Sequence, residues 1–328
     1  MMEPLTRFRL LQGMGLVLVL WVIGVSSCRR IYRYAPGQVN ELVVITHDST
    51  FLARIQQGIN EVFYTPQEES LFVVIVPPDS LILRYLDHKN VLIVAYPGSP
   101  DWPVYRQVFG ERTGVHLLSG RHAVDDHLMG IAGPKWEATL TLLEEYLPRI
   151  KDSLMAWMYQ NYLRREYFPG HNPQIRDILR ERWHLDIDMP SGWAFFVQED
   201  SLFALAKHYP DRFFLVYQEP APRTLDPWQL LDLRDALTRV YYDGDFVLRD
   251  TTTLRFQEGA FLGQPARVIY GVWQNNRRVL GGPFKLIAFN YRDRFFLVDI
   301  GVFAPDLDHK MPFIFRTEAF LRSMRVLD

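Results

Sequence analysis

Cysteine is all but missing from this chain: Cys28 is the single thiol in 328 residues. With Cys28 committed to the modification argued below, no thiol is left for a disulfide or a cysteine metal site, so the fold has to hold by packing. Excess charge of one sign is missing too. The formal net charge is -2, and no Lys/Arg block interleaved with aromatics occurs, which argues against nucleic acid as a partner. No G-x-S-x-G elbow, C-x-x-C pair, phosphate-binding loop or H-E-x-x-H helix is found. The chemistry those spacings support is without its signature, and neither a cofactor nor a metal is expected. Beyond residue 28 no apolar run approaches the about 18 residues of a membrane-crossing helix. What the chain does have is packing material, 48% hydrophobic and 14% aromatic residues, enough for one large domain or two ordinary ones.

The one cysteine follows an informative segment. MMEPLTRFRLLQ carries Arg7 and Arg9, GMGLVLVLWVIGV is apolar, and Ser26 and Ser27 stand directly before Cys28. A basic start, a brief apolar middle and small residues at the cut describe a secretion signal. Val25-Ser26-Ser27-Cys28 resembles the lipobox of bacterial lipoproteins, in which the thiol takes a diacylglycerol, the peptide is cut before it, and the new amino group is acylated, typically with palmitate. Residues 1–27 then form a signal peptide, and residues 28–40 a lipidated cysteine and tether. The competing reading is an uncleaved anchor helix with an incidental cysteine. Buried acyl chains, at roughly 0.8 kcal/mol per CH₂, hold a protein to a membrane without a spanning helix. Loss of Arg7, Arg9 and Glu3 with the signal takes the formal charge from -2 to -3. Arg29 and Arg30 are unlike an acidic inner-membrane retention signal, which favours the outer membrane.

Past the tether, ELVVITH (41–47) reads as a strand and residues 49–63 as a helix with Leu52, Ile55, Ile59 and Phe63 in one stripe, capped by Ser49 or Thr50. LFVVIVPP (71–78), NVLIVAYPG (90–98) and GVHLLSG (114–120) are further strands. The first two have too little alternation to face water. A helix runs from Pro134 to about Tyr167, kinked or divided by Pro148. The polar break at 168–174 separates an N-terminal α/β-like domain, 41–170, from a C-terminal α+β domain, 171–328. In the second part HLDIDMP alternates as a half-exposed strand, WAFFVQE and DRFFLVYQE are strands, and a helix starts at Pro227. Three strands between Ala266 and Pro305 are joined by turns at NNRR and NYRD, and a helix spans about Phe313 to Met324. The fold class is α+β: two helix-covered sheet regions, the second mainly antiparallel.

The order His184-Leu185-Asp186-Ile187-Asp188-Met189-Pro190, Gly192-Trp193, Leu233-Arg234-Asp235, Tyr270-Gly271-Val272-Trp273, Leu280-Gly281-Gly282-Pro283-Phe284 and Val302-Phe303-Ala304-Pro305 resembles a family of lipoproteins from Bacteroidetes-like Gram-negative bacteria, known only as a domain of unknown function. The resemblance covers nearly the whole mature chain. Family members have a tryptophan and glycine where His47-Asp48-Ser49-Thr50-Phe51 stands here, and often a methionine at Leu280. The resemblance implies an envelope location and a two-part α+β fold, and brings no activity with it.

Gly281, Gly282, Pro283 and Phe284, with Trp273 and Trp193, are the candidate binding residues. Paired glycines before a proline allow a tight turn or a close approach that a Cβ would block. The stretch is read either as the lip of a groove walled by Trp273 or Phe284, or as a hairpin whose rings fill the sheet core. His122 and Asp126 share a face at i, i+4 if helical, beside Asp125 and His127, yet a third converging metal ligand is not visible. His184, Asp186 and Asp188 line one strand face, where a histidine beside carboxylates suits a general base and surface alternation explains them equally well. Asp306, Asp308 and His309 read as a polar turn. No catalytic residue is assigned. The expectation is a lipid-anchored cell-envelope protein that binds a partner protein or serves in assembly. The alternatives are an envelope hydrolase with an unrecognised site, or a carrier of a small apolar ligand in an apolar cavity between the two halves.

Overall fold

The computed structural model describes residues 33–327. The signal segment 1–27, Cys28 and the start of the tether lie outside the described residues.

The first sheet has the order β2-β1-β3-β5-β4, with β1 Glu41–Ile45, β2 Val73–Ile75, β3 Asn90–Ala95, β4 Gly114–Ser119 and β5 His127–Ala132. The pairs β1/β2, β1/β3 and β3/β5 are parallel, and β4 runs antiparallel to β5. Every residue of β3 and β5 is buried, because helices and loops cover both faces and leave no polar side for alternation to mark. Strand β5 has no counterpart among the strands read from the sequence. Asp126 explains the turn before it: its buried carboxylate accepts the backbone N–H groups of Arg121, His122 and Ala123 at 2.9, 2.6 and 3.1 Å.

Helix α1, Ser49–Ile59, is capped by Asp48 rather than by Ser49 or Thr50; the carboxylate accepts from Thr50 N and Phe51 N. The helix ends before Phe63, whose segment Val62–Tyr64 instead pairs with Glu68–Ser70 in a small hairpin. Short helical turns at 79–85 precede β3, and α2, Trp102–Phe109, follows it. Helix α3, Trp136–Tyr167, passes through Pro148 undivided, and α4 is Pro173–Trp183.

The second sheet comprises β6 Ala194–Gln198, β7 Leu202–Lys207, β8 Asp211–Glu219, β9 Asp245–Val247, β10 Arg255–Phe261, β11 Gln264–Asn275, β12 Gly281–Tyr291 and β13 Arg294–Phe303. Its order is β9-β11-β12-β13-β8-β7-β6, with β10 also on β11, and its pairs are antiparallel. The turns at NNRR and NYRD join β11 to β12 and β12 to β13 as expected. Of HLDIDMP only Leu185–Asp186 forms a strand, on Arg325–Val326. Leu185, Ile187 and Met189 are buried as their alternation requires, and Asp186 is buried with them. Helices α5, Pro227–Tyr241, and α6, Met311–Leu321, complete the fold.

Three buried clusters follow from this layering. The largest joins one face of each sheet through α1, α3, α4 and α6, from Leu42 and Val94 through Met158 and Trp183 to Ile300 and Phe320. A second lies on the far face of the large sheet under α5, with Leu230, Leu231, Trp273, Phe284 and Leu297. The third covers the far face of the first sheet with Ile82, Tyr105 and Val108. The fold is α+β, with helices packed on two sheet regions, the C-terminal one antiparallel.

Candidate functional site

The β11–β12 hairpin carries most of the candidate binding residues. Trp273 pairs with Gly282 across it, Val272 with Pro283 and Gly271 with Phe284. A Cβ on Gly282 would stand 2.0 Å from the carbonyl oxygen of Val302 and 3.4 Å from Trp273 Nε1. The glycine thus serves close approach rather than a turn with positive φ. The six residues do not share one groove. Phe284 is buried beneath the guanidinium of Arg234, which sits 4.3 Å from its ring centroid. Trp193 is buried on the opposite face of the sheet against Phe214 and Phe320. Gly281 and Gly282 border a cavity of about 500 Å³ near Lys310 and Pro305. Trp273, though buried, forms part of the wall of an adjoining cleft of about 370 Å³.

That cleft is walled by rings. Phe196 and Phe213 pack on Tyr242 with centroids 5.3 and 5.0 Å away, and Phe213 stands edge-on to Trp273 at 5.5 Å. Leu280 and Phe303 complete the apolar lining. Phe196 reaches the cleft through an irregularity in edge strand β6. Val197 pairs with Ala204 and Phe195 with Leu205, so Phe196 is skipped in the register. Bulges at sheet edges re-aim a side chain and blunt the edge against pairing. Gly301 makes room for the second ring, since a Cβ there would lie 2.2 Å from the ring of Phe213.

The polar groups of the cleft are mostly taken. Asp211 faces His208 at 2.9 Å, Asp243 accepts from Arg278 at 3.1 Å, and Asp245 accepts from Asn275 Nδ2 at 2.6 Å. Burial pushes the Asp245 carboxyl up to about 6 and holds the Tyr242 hydroxyl well above its ordinary value. Arg212 and Lys207 reach back to Glu166 of α3. Burial alone would raise the pKa of Glu166, but Arg212, Arg316 and Lys207 hold it below the usual carboxylate value. Trp273 Nε1, Tyr242 Oη and Arg212 Nε are wholly buried without a hydrogen-bond partner in the protein, and the Arg212 guanidinium packs on Trp193 on the opposite face of the sheet.

The other candidate clusters are placed apart from this cleft. Asp125 is bound by Lys89 at 2.7 Å, Asp126 closes its turn, and His127 stacks on Trp157 while burial lowers its pKa to about 4. Asp186 is enclosed by Arg176, Arg180 and Arg325. Their hydrogen bonds, Arg176 first, hold its pKa far below the usual range. His184 caps α4 with φ 54°, and Asp188 faces His171 at 2.9 Å; the three do not converge. The cavity between the halves, about 380 Å³, is lined by Arg165, Arg316, Asp306, Asp308 and His309 beside Tyr162 and Phe313, a mixed rather than apolar lining. Among the described residues no group of three or more His, Cys, Asp or Glu is placed to hold a metal ion.

One arrangement was not visible in the sequence. At the carboxyl ends of β1 and β3, where the strand order reverses, buried Asp101 accepts His47 N at 2.8 Å and lies 2.6 Å from His47 Nδ1. His47 Nε2 is 3.0 Å from the exposed Asp79. Hydrogen bonding to Asp101 raises the His47 pKa. A cavity of about 280 Å³ opens beside it, at the position where open α/β sheets bind ligands. His47 and Asp101 are 54 residues apart, and no local pattern joins them.

The chain is thus an α+β protein with an aromatic cleft on its antiparallel sheet. Residues 172–323, in the C-terminal part of the chain, match the family model described as a domain of unknown function, DUF4837. No curated protein matches the sequence. Among solved structures the chain is similar to the Ran-binding protein Mog1p of Saccharomyces cerevisiae, with 12% identity over 44% of this chain and 91% of that one and a TM-score of 0.31. It is similar to a Bacteroides thetaiotaomicron protein at 9% identity, over 44% and 46% of the two chains, with a TM-score of 0.30. LpqN of Mycobacterium tuberculosis, described as involved in cell envelope biogenesis, aligns at 12% identity over 44% and 83% with a TM-score of 0.29. Scores this low leave the function to the chain's own residues.

Proposed function

We propose that this is a lipid-anchored cell-envelope protein, held by acyl chains on Cys28 to the outer membrane, whose body works by binding, with the aromatic cleft as its recognition site. The observation that carries the binding reading is the cleft itself: about 370 Å³, bounded by rings and entered beside a bulged edge strand. Concave, largely apolar sites of this size, with a few polar groups, are where proteins take up ring-bearing groups. The basic, apolar and small-residue order before Cys28 supports the anchor. Among the described residues no helix is long and apolar enough to cross a membrane.

Cross-linking and mass spectrometry of the full-length chain in its own membrane, against Cys28→Ser and Phe196→Glu versions, tests both halves. We expect palmitate incorporation and membrane recovery to be lost with Cys28→Ser, and envelope contacts at the cleft to be lost with Phe196→Glu. Unchanged membrane recovery and labelling in Cys28→Ser would remove the lipid anchor from the reading. Cleft contacts that survive Phe196→Glu would remove the cleft. A second reading, an envelope hydrolase, is favoured by one observation, the His47 ring oriented by buried Asp101 beside a cavity, an arrangement suited to proton transfer.

A further inference from the structure

Beyond the binding reading of the aromatic cleft and independent of it, we propose that His47 is a pH-operated latch: its imidazolium clamps the Asp79 turn across the cavity at the carboxyl ends of β1 and β3, and loss of the proton lets that turn go. The cavity, about 280 Å³, is bounded on one side by the residues leading from β1 into α1, Thr46 to Ser49, and on the other by the segment after β2, with Val76, Pro77 and Asp79. His47 Nε2, 3.0 Å from Asp79 Oδ1, joins a side chain of one wall to a side chain of the other. The other ring nitrogen, Nδ1, lies 2.6 Å from Asp101 Oδ1.

Both ring nitrogens thus face a carboxylate oxygen. A protonated ring donates from both; a neutral ring has one N–H and one lone pair, and can satisfy only one of them. Burial decides which contact is kept. Asp101 is 2% exposed and its second oxygen accepts His47 N at 2.8 Å, whereas Asp79 is 82% exposed. The remaining hydrogen therefore stays on Nδ1 with the buried carboxylate, which is costly to strand, and water takes over Asp79. Nε2 then turns its lone pair toward the Asp79 carboxylate, and attraction becomes repulsion. Pro78, Asp79 and Ser80 are exposed between buried Pro77 and Ile82, the kind of segment that opens locally at little cost. The other titratable groups lining the cavities beside His47 are Asp48 and Tyr96, and that lining has no lysine or arginine. The Asp48 carboxylate is engaged by Thr50 N, Phe51 N and Trp136 Nε1. Hydrogen bonding to Asp101, with smaller contributions from Asp79, raises the His47 pKa, so the latch is closed below that value and opens as the pH rises through it.

The test is electron paramagnetic resonance of a nitroxide at Ser80→Cys in the full chain, from about pH 5 to about pH 9, with the chain lacking that substitution carried through the same labelling as the blank. We expect the label to be restrained at low pH and released as the pH rises, with a midpoint that coincides with the His47 titration followed by NMR. The ratio of held to released turn should fall about two- to fivefold across the transition, the size of an exposed ion pair. Asp79→Asn should show the low ratio at every pH, and His47→Gln should show no transition. Asp79 is exposed, so Asp79→Asn should retain the wild-type melting transition, which is recorded alongside. A label whose motion does not change with pH, or a transition that persists in Asp79→Asn or His47→Gln, overturns the latch. Neither result touches the aromatic cleft or the lipid anchor.

Discussion

Arg234 and Asp299 meet inside the large sheet's far face, the guanidinium Nε donating to a carboxylate oxygen at 2.7 Å, with both side chains wholly buried. One residue comes from α5 and the other from β13, 65 positions apart. Burial raises the pKa of Asp299 while Arg234 opposes the rise. The same guanidinium lies over Phe284. The pair therefore ties α5 to the sheet directly behind the aromatic cleft.

Removing one partner is expected to cost far more than removing both. Arg234→Met leaves a buried carboxylate without its counter-charge and should destabilise by about 3–5 kcal/mol, whereas Arg234→Met with Asp299→Leu should recover most of the loss. Urea unfolding monitored by tryptophan fluorescence measures both. Equal losses in the single and double variants would show that the hydrocarbon replacements, not the stranded charge, set the cost.

Two buried groups give opposing pH dependences. His127 is held neutral down to about 4, so the unfolded chain binds more protons between that value and about 6.5, and stability falls as the pH drops through this window by roughly 3 kcal/mol. Asp245 keeps its proton up to about 6 in the fold against about 4 when unfolded. Its contribution is present at low pH and is lost as the pH rises through 6, again by roughly 3 kcal/mol. Relative to wild type, His127→Gln should therefore gain stability as the pH is lowered from 7 to 4, and Asp245→Asn should gain it as the pH is raised. Melting temperatures across that range decide each sign.

Gly282→Ala places a methyl 2.0 Å from a backbone oxygen that cannot move aside cheaply, and should cost roughly 3 kcal/mol or more. Gly259→Ala, in β10, meets only a side-chain methyl at 3.5 Å and should change stability by less than about 1 kcal/mol. Denaturation midpoints of the two variants separate close approach from a general sensitivity of the sheet to alanine.

The His47 pKa depends first on its hydrogen bond to Asp101, so Asp101→Asn should lower it. Histidine NMR titration of the two forms reads the shift directly. An unchanged His47 titration would mean that Asp101 does not set the protonation of the ring, and would take away the orienting role on which the hydrolase reading depends.

Much of the fold was legible because burial leaves a period. The apolar spacing of α1 and α3, the continuous strands β1 and β3 and the polar turns of the last three hairpin strands all read directly from residue order. Where the reading failed, a single side chain had overridden local pattern. Asp48 took the cap that Ser49 and Thr50 also suited, and Asp126 pinned a turn that exposed β5 as a strand. Asp186, expected on a solvent face by alternation, is buried because Arg176 and Arg180 of α4 and Arg325 of the C-terminal strand neutralise it.

The candidate site was legible only in part. Trp273 and the Gly281-Gly282 pair were singled out for the backbone approach glycine permits, and that approach is present. Phe196 and Tyr242 were not, since each reads as an ordinary strand or helix residue until a register shift and a helix end turn them toward one space. His47 and Asp101 escaped for the same reason: they follow different strands of a parallel sheet, whose ends become neighbours only after the crossovers close.

By itself the residue order determined the composition of the core, the α+β class and the motif around Cys28, because these depend on side-chain chemistry and short-range periodicity. Tertiary structure alone decided which rings became a wall, which carboxylates were neutralised and which donors were left without acceptors. Those properties belong to distances between segments far apart in the chain, and such distances are set by how the sheets and helices pack rather than by any local spacing.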